Sequence, residues 1–342
     1  MPASAASANL SSNASGRDTH NAPGKVDRVV ACLDKSRLSQ KVIPYAAAIA
    51  QALHAHLTLL QVLEVTAKAG APADPIEWGI GRREAHDHID RLASEWDDGT
   101  FRIDTIVIEG QPAEQISLWA RNQGASLIVV GTHGDSGLAG WSLGSTARSL
   151  VEKASGALLL VPSSVPDARA VHYRRLLVPL DGSRQAESIL PLATRLAKAE
   201  QAKLLLTHVI PVPELTEIGP LEAEDIELRE QVVRRNERVA RQYLERIRAG
   251  IAEQDVSVDI ILREGDVRNR LSHLAVDEAA DLVVLSAHGR GGRPDVSCGS
   301  VAFHLMTHAA APLLLVLRPS PPEGGVVLNN KTRGGPPGRA AL

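Results

Sequence analysis

Short apolar runs punctuate the chain, and the longer stretches between them carry apolar residues only at every third or fourth position. In the first half the runs are RVVACL (28–33), LTLLQVL (57–63), IDTIVIEG (103–110), SLIVVG (126–131) and ALLLV (157–161). Rich in Val, Leu and Ile, they predict strands buried on both faces. Between the first two, Leu38, Val42, Tyr45, Ile49 and Leu53 recur at helical spacing and predict a helix. Pro44 removes a backbone donor inside that stretch, so the helix is expected to start late or bend there. Strands that alternate with helices in this way form a parallel sheet covered on both sides.

The second half repeats the pattern. Residues 29–65 align with 176–212 at a constant offset of 147, which sets Asp34 against Asp181, Ser36 against Ser183, Pro44 against Pro191 and Val62 against Val209. Farther on the offset is 155, so Glu109-Gly110 matches Glu264-Gly265, LIVVGTHG (127–134) matches LVVLSAHG (282–289), and Gly144-Ser145 matches Gly299-Ser300. Register kept over so many landmarks marks a duplication. The expected organisation is a disordered tail (1–25), a first domain (26–163), a linker (164–171) within PSSVPDARAVHY, a second domain (172–319) and a disordered tail (320–342). Each domain should be an α/β, Rossmann-like three-layer sandwich: a five-stranded parallel sheet with helices on both faces.

Composition narrows the function classes without choosing among them. Across 342 residues, 44% are hydrophobic, 23% are charged and the formal net charge is −3, which gives no bias toward nucleic acid. There is no uninterrupted apolar run of membrane-spanning length, and the N-terminal segment lacks the apolar core of a secretory signal. Cys32 and Cys298 are too few for a disulfide framework and fit a reducing compartment, so a cytoplasmic protein with no membrane partner is expected. The charged stretch 224–250, with apolar residues at 228, 232/233, 239, 243/244 and 247, reads as a helix with a core face and a solvated exterior.

Ligands of parallel sheets bind beyond the carboxyl ends of the strands. Two features fall there: Asp34 after the first strand, and GTHGDSGLAGWSLGSTA (131–147) after the fourth. Gly131 and Gly134 let backbone amides approach an anion, while Gly144, Ser145 and Thr146 precede a helical stretch whose N-terminus favours phosphate. Read by itself, this loop is better explained as a turn in which Ser145 caps the helix.

The spacing of Gly131, Gly134, Gly144 and Ser145 after an LIVV strand resembles the nucleotide signature of the universal stress protein family. Asp34, LLQV with Val62, the ALLLV strand, and LLVPLDGS and HGRGG in the second copy are similar to it as well, over about 290 of the 342 residues. The resemblance implies two adenine nucleotide alpha hydrolase-like domains that bind ATP, with or without Mg²⁺. It also implies intramolecular pairing of the two domains through the terminal strands, and it leaves room for a further homodimer. In copy one it assigns the base contacts to Asp34 and Val62 and the ribose and phosphates to Gly131, Gly134, Gly144, Ser145 and Thr146. In copy two the matching positions are Asp181, Val209, Ser286, Gly289, Gly299 and Ser300. His133 and His288 lie inside the motif, either as ribose or phosphate contacts or as exposed loop residues.

Both copies depart from the family pattern. Lys35 follows Asp34 where glycine is usual, and Asp135 sets a carboxylate beside the phosphate position. Copy two has Ser286 for the first glycine, and it carries Arg290, Arg293, Pro294 and Asp295. Copy one keeps the glycine frame, and copy two has the more favourable charge. No Walker A, nucleophile-elbow or HExxH motif occurs, and the His54/His56 and His86/His88 pairs lack metal-site spacing. The expectation is a stress-response regulator that binds nucleotide without efficient hydrolysis, set against a nucleotide-independent interaction protein or a slow ATPase.

Overall fold

The computed structural model describes residues 26–64, 75–97, 99, 102–124, 127–133, 143–213, 222–290 and 296–317. The two tails and Gly134 lie outside them, as do Asp135, Arg293, Pro294 and Asp295.

In the first half, β1 (Arg28–Leu33) leads into α1 (Arg37–Gln40) and α2 (Val42–Leu53), then β2 (His56–Leu63), α3 (Pro75–Trp96) and β3 (Ile103–Glu109). It continues with α4 (Pro112–Asn122), β4 (Leu127–Gly131), α5 (Ser145–Lys153) and β5 (Ala157–Val161). The second half repeats this order. It runs β6 (Arg175–Pro179), α6 (Arg184–Glu187), α7 (Leu190–Glu200), β7 (Lys203–Ile210), α8 (Ala223–Ala252) and β8 (Val258–Glu264). Then come α9 (Val267–Asp277), β9 (Leu282–Ser286), α10 (Ser300–His308) and β10 (Leu313–Val316).

The prolines act as their chemistry requires. Pro44 lies in the first turn of α2 and Pro191 in that of α7, where a missing N–H breaks no helical hydrogen bond. A separate turn of helix precedes each, capped by Ser36 and Ser183, whose hydroxyls accept from Ser39 N and Ala186 N at 3.1 Å.

Within each half the five strands are parallel, and the halves join into one ten-stranded sheet ordered β3-β2-β1-β4-β5-β10-β9-β6-β7-β8. The seam is antiparallel: Leu313, Leu314 and Leu315 of β10 face Leu160, Leu159 and Leu158 of β5. Alternate residues of each strand enter opposite cores. Val29, Ala31, Val129 and Leu159 pack under α2, α3, α7 and α8, while Val30, Cys32, Ile128 and Leu158 pack under α4, α5, α9 and α10. The first core runs unbroken across the seam, and there the buried Tyr173 hydroxyl donates to the Tyr45 carbonyl at 3.3 Å.

The apolar pattern of the charged segment needs a correction. In α8 the buried residues are Val233, Ala240, Leu244 and Ile251, whereas Leu228 and Val239 are 54% and 53% exposed. The 30-residue helix is about 45 Å long, and a strand of eight residues reaches about 27 Å. Its N-terminal half therefore runs past the sheet, and Leu228 and Val239 lie on a stripe that faces away from the core.

Candidate functional site

Strand order reverses where β6 lies between β7 and β9, which puts the ends of β6 and β9 at a crevice. Beyond β6 the chain turns through Asp181, Gly182 and Ser183, with Gly182 at φ +81°, a left-handed conformation that glycine adopts freely. Asp181 ties this turn to the loop after β9. Its Oδ1 accepts from Ser183 N at 2.9 Å and its Oδ2 from Arg290 N at 2.5 Å, while Arg290 Nη2 donates to the Asp181 carbonyl at 3.0 Å. Burial pushes the Asp181 carboxyl up. The hydrogen bonds from Ser183 and Arg290, with the Arg290 charge, outweigh it and hold the group below its ordinary 3.8. A Cβ added at Gly289 would overlap Asp181 Oδ2, so any larger residue must displace a carboxylate that Ser183 N and Arg290 N hold in place.

The start of α10 completes the crevice. Gly299 is its N-cap with no side-chain cap hydrogen bond, and Gly299 N donates back to Ala287 O at 2.7 Å. Ser300 is the first helical residue, so the first-turn amides stand open at the end of β9. His288 is 5% exposed, which removes the reading of a solvent-exposed loop residue. Its Nε2 stands 2.6 Å from Val296 O, and because a carbonyl only accepts, Nε2 carries the proton and Nδ1 is left as an acceptor. Nδ1 is buried and has no hydrogen-bond partner among the described residues.

All the copy-two residues named from the sequence line one cavity of about 790 Å³: Asp181, Val209, Ser286, His288, Gly289, Gly299 and Ser300. Helix α8 closes its side with Asn236, Val239, Ala240 and Tyr243, which the sequence reading did not assign to a site. Of these, Val239 and Tyr243 belong to the apolar spacing that predicts a core face, and Asn236 and Ala240 carry no such signal. Burial pushes the Tyr243 phenol upward, and the nearby Glu187 carboxylate adds to the shift.

Copy one repeats the frame as far as it is described. Asp34 Oδ1 accepts from Ser36 N at 2.7 Å, and Gly144, the N-cap of α5, donates from its N–H to Thr132 O at 2.8 Å. Ser145 and Thr146 open α5, so Ser145 is not the cap. A Cβ at Gly131 or Gly144 would come within 3.1 Å of His133 O or Thr132 O, tighter than ordinary contact. His133 Nδ1 stands 3.0 Å from Thr132 Oγ1, and its buried Nε2 has no hydrogen-bond partner among the described residues. Val62 lies half-buried near the end of β2. Lys35 stays out of the left-handed region that Gly182 occupies.

The model of the universal stress protein family matches residues 25–162 and 172–316. The chain belongs to the universal stress protein family. It is 25% identical over 314 residues to a universal stress protein of Mycobacterium tuberculosis, covering 86% of this chain and 96% of that one. A Mycolicibacterium smegmatis universal stress protein is 31% identical over 198 residues, 57% of this chain and 63% of that one. Among solved structures, a universal stress protein of Archaeoglobus fulgidus superposes with a TM-score of 0.60 at 16% identity, covering 85% of this chain and 96% of that one. The fold is thus the Rossmann-like, adenine nucleotide alpha hydrolase-like sandwich of that family. Among the described residues, no helix of this universal stress protein is long and apolar enough to cross a membrane. Nor do they include a group of three or more His, Cys, Asp or Glu placed to hold a metal ion.

One thiol of this universal stress protein lines the cavity. Cys298 directly precedes the α10 N-cap, a position that favours a thiolate, yet burial pushes it up to about 12. It is therefore a thiol at neutral pH. Alkylation by iodoacetamide at pH 8 is expected to be at least about tenfold slower than that of an unperturbed cysteine with its ordinary value near 8.5. Mass spectrometry of the Cys298 peptide measures it, and labelling at the free-cysteine rate would contradict the burial argument.

Proposed function

We propose that this universal stress protein is a nucleotide-dependent regulator whose copy-two cavity binds ATP or a related adenine nucleotide. The observation that carries the reading is the convergence of an acceptor carboxylate, Asp181, and an open helix N-terminus at Gly299-Ser300 on one cavity. A carboxylate can accept from an exocyclic amine, and first-turn amides suit anionic oxygens. The residues fit such a ligand by size as well: the wall at Gly289 and Gly299 is bare backbone, and Val209 supplies an apolar contact. Asp181 and Val209 would hold the base, and Gly289, Gly299 and Ser300 the ribose and phosphates. Mg²⁺, if it accompanies ATP, would supply charge neutralisation.

Copy one is read as a second site on the same plan, with Asp34, Val62, Gly131, His133, Gly134, Gly144, Ser145 and Thr146 in the matching roles. The halves are read as domains 26–163 and 172–319 that pair through their last strands, with the linker at 164–171. A cytoplasmic setting follows from the two free thiols, Cys32 and Cys298.

The purified full-length protein should release adenine nucleotide on denaturation, detected by chromatography of the deproteinised extract, or take it up when ATP is added. A protein that releases none and takes up none is a nucleotide-independent interaction protein. Steady formation of ADP would make it a slow ATPase.

A further inference from the structure

The overhanging half of α8 carries a feature that the nucleotide reading does not use. With about 3.6 residues per turn, Glu224, Glu227, Leu228, Gln231, Arg235 and Arg238 share one stripe, opposite the buried Val233, Ala240 and Leu244. Every residue of that stripe is exposed.

Charge is segregated along the stripe: Glu224 and Glu227 stand in the first turns, and Arg235 and Arg238 follow. Off the stripe the signs mix, with Arg229 among Glu222, Asp225 and Glu230, and Glu237 between Arg234 and Arg241. Two of these arginines are matched within the helix, Arg234 by Glu230 at 3.1 Å and Arg241 by Glu237 at 2.9 Å. Arg235 and Arg238 have no acid three or four residues away, and they are like-charged neighbours at i,i+3, an arrangement that weakens a helix.

We propose that α8 pairs with α8 of a second copy of this chain, antiparallel, about a two-fold axis at Gln231. That register sets Glu224 of one copy opposite Arg238 of the other and Glu227 opposite Arg235. All four pairs form at once because the contact is isologous. Leu228, 54% exposed, lies between the charges and is covered in the pair. A nucleic acid or an anionic membrane would match the arginines but be repelled by the acidic turns, so the bipolar stripe favours its own copy. One helix pair is a small interface, so the dimer should be weak, with a dissociation constant in the micromolar range, about 1–100 µM.

Sedimentation equilibrium of the full chain, run up to about 0.3 mM, tests the proposal. The wild type should reach twice its monomer mass. Glu224→Arg/Glu227→Arg and Arg235→Glu/Arg238→Glu should each raise the dissociation constant by roughly tenfold or more through like-charge contact, and an equimolar mixture of the two should dimerise again. Leu228→Asp should weaken the pair as well. All four substituted residues are exposed, so circular dichroism should show the helix content retained. A wild type that stays monomeric overturns the proposal, as does a dimer indifferent to both charge reversals. Variants that dissociate but are not restored by mixing overturn the register. The proposal does not depend on nucleotide: failure here leaves the cavity reading untouched, and failure to bind nucleotide leaves this one standing.

Discussion

Replacing Gly289 by valine is expected to weaken adenine-nucleotide binding at copy two by about 100-fold, which corresponds to about 2.7 kcal/mol. A Cβ at this position overlaps Asp181 Oδ2, so the carboxylate and the loop cannot both stay where they are. Asp181 is a hub, accepting from Ser183 N and Arg290 N, and moving it disturbs both loops that border the cavity. The branched side chain would also fill space that the proposed ligand needs. The fold should survive at a cost of about 1–3 kcal/mol, the usual range for overpacking. Isothermal calorimetry with urea unfolding of the same variant separates the two effects. Full affinity in a folded Gly289→Val protein would show that the ligand does not use this loop.

The largest effect on stability is expected at the junction of the halves. Tyr173 is fully buried in the core that runs beneath α2 and α7, and its truncation to alanine should cost about 3–5 kcal/mol. Tyr173→Phe keeps the ring and loses one hydrogen bond, to Tyr45 O at 3.3 Å, so its cost should be about 1 kcal/mol or less. The phenol also makes a pH prediction. Burial first, then the surrounding Tyr45, Glu200 and Asp281 charges, hold Tyr173 un-ionised well above its ordinary 10.0. The unfolded chain ionises near pH 10 and the folded chain does not. Stability should therefore be full below that pH and fall as pH rises past it. Urea unfolding between pH 8 and pH 11 should show a gentler alkaline decline in Tyr173→Phe than in the wild type. Equal costs for Ala and Phe would mean that the ring is not packed as described.

The duplicated α/β architecture was legible because each strand is apolar on both faces and each half repeats the same landmarks. Pro44 announced the late start of α2, since a proline fits only in a first helical turn. In copy two every sequence-named position lines the one cavity, because short glycine-rich loops leave a strand end few directions to take. Contacts between segments far apart in sequence were not legible. Asp181 and Arg290 are 109 residues apart, and nothing in the local pattern of either announces their bond. For His288 the sequence leaves contact and solvent both open, whereas the side chain is buried and the Val296 carbonyl, eight residues on, holds its Nε2. In α8 two stripes overlap. Val233, Ala240 and Leu244 bury, while Leu228 and Val239 lie on the outer side, and hydrophobic spacing alone merges them. Only the length of the helix relative to the sheet tells them apart.

Titration of the nucleotide-free protein with ATP in the presence of Mg²⁺, followed by calorimetry, tests the central claim most directly. A saturable heat is predicted, with one equivalent assigned to copy two because Gly289→Val removes it while Gly144→Val leaves it. A flat titration up to about millimolar ligand, where binding free energy falls below about 4 kcal/mol, would contradict the account.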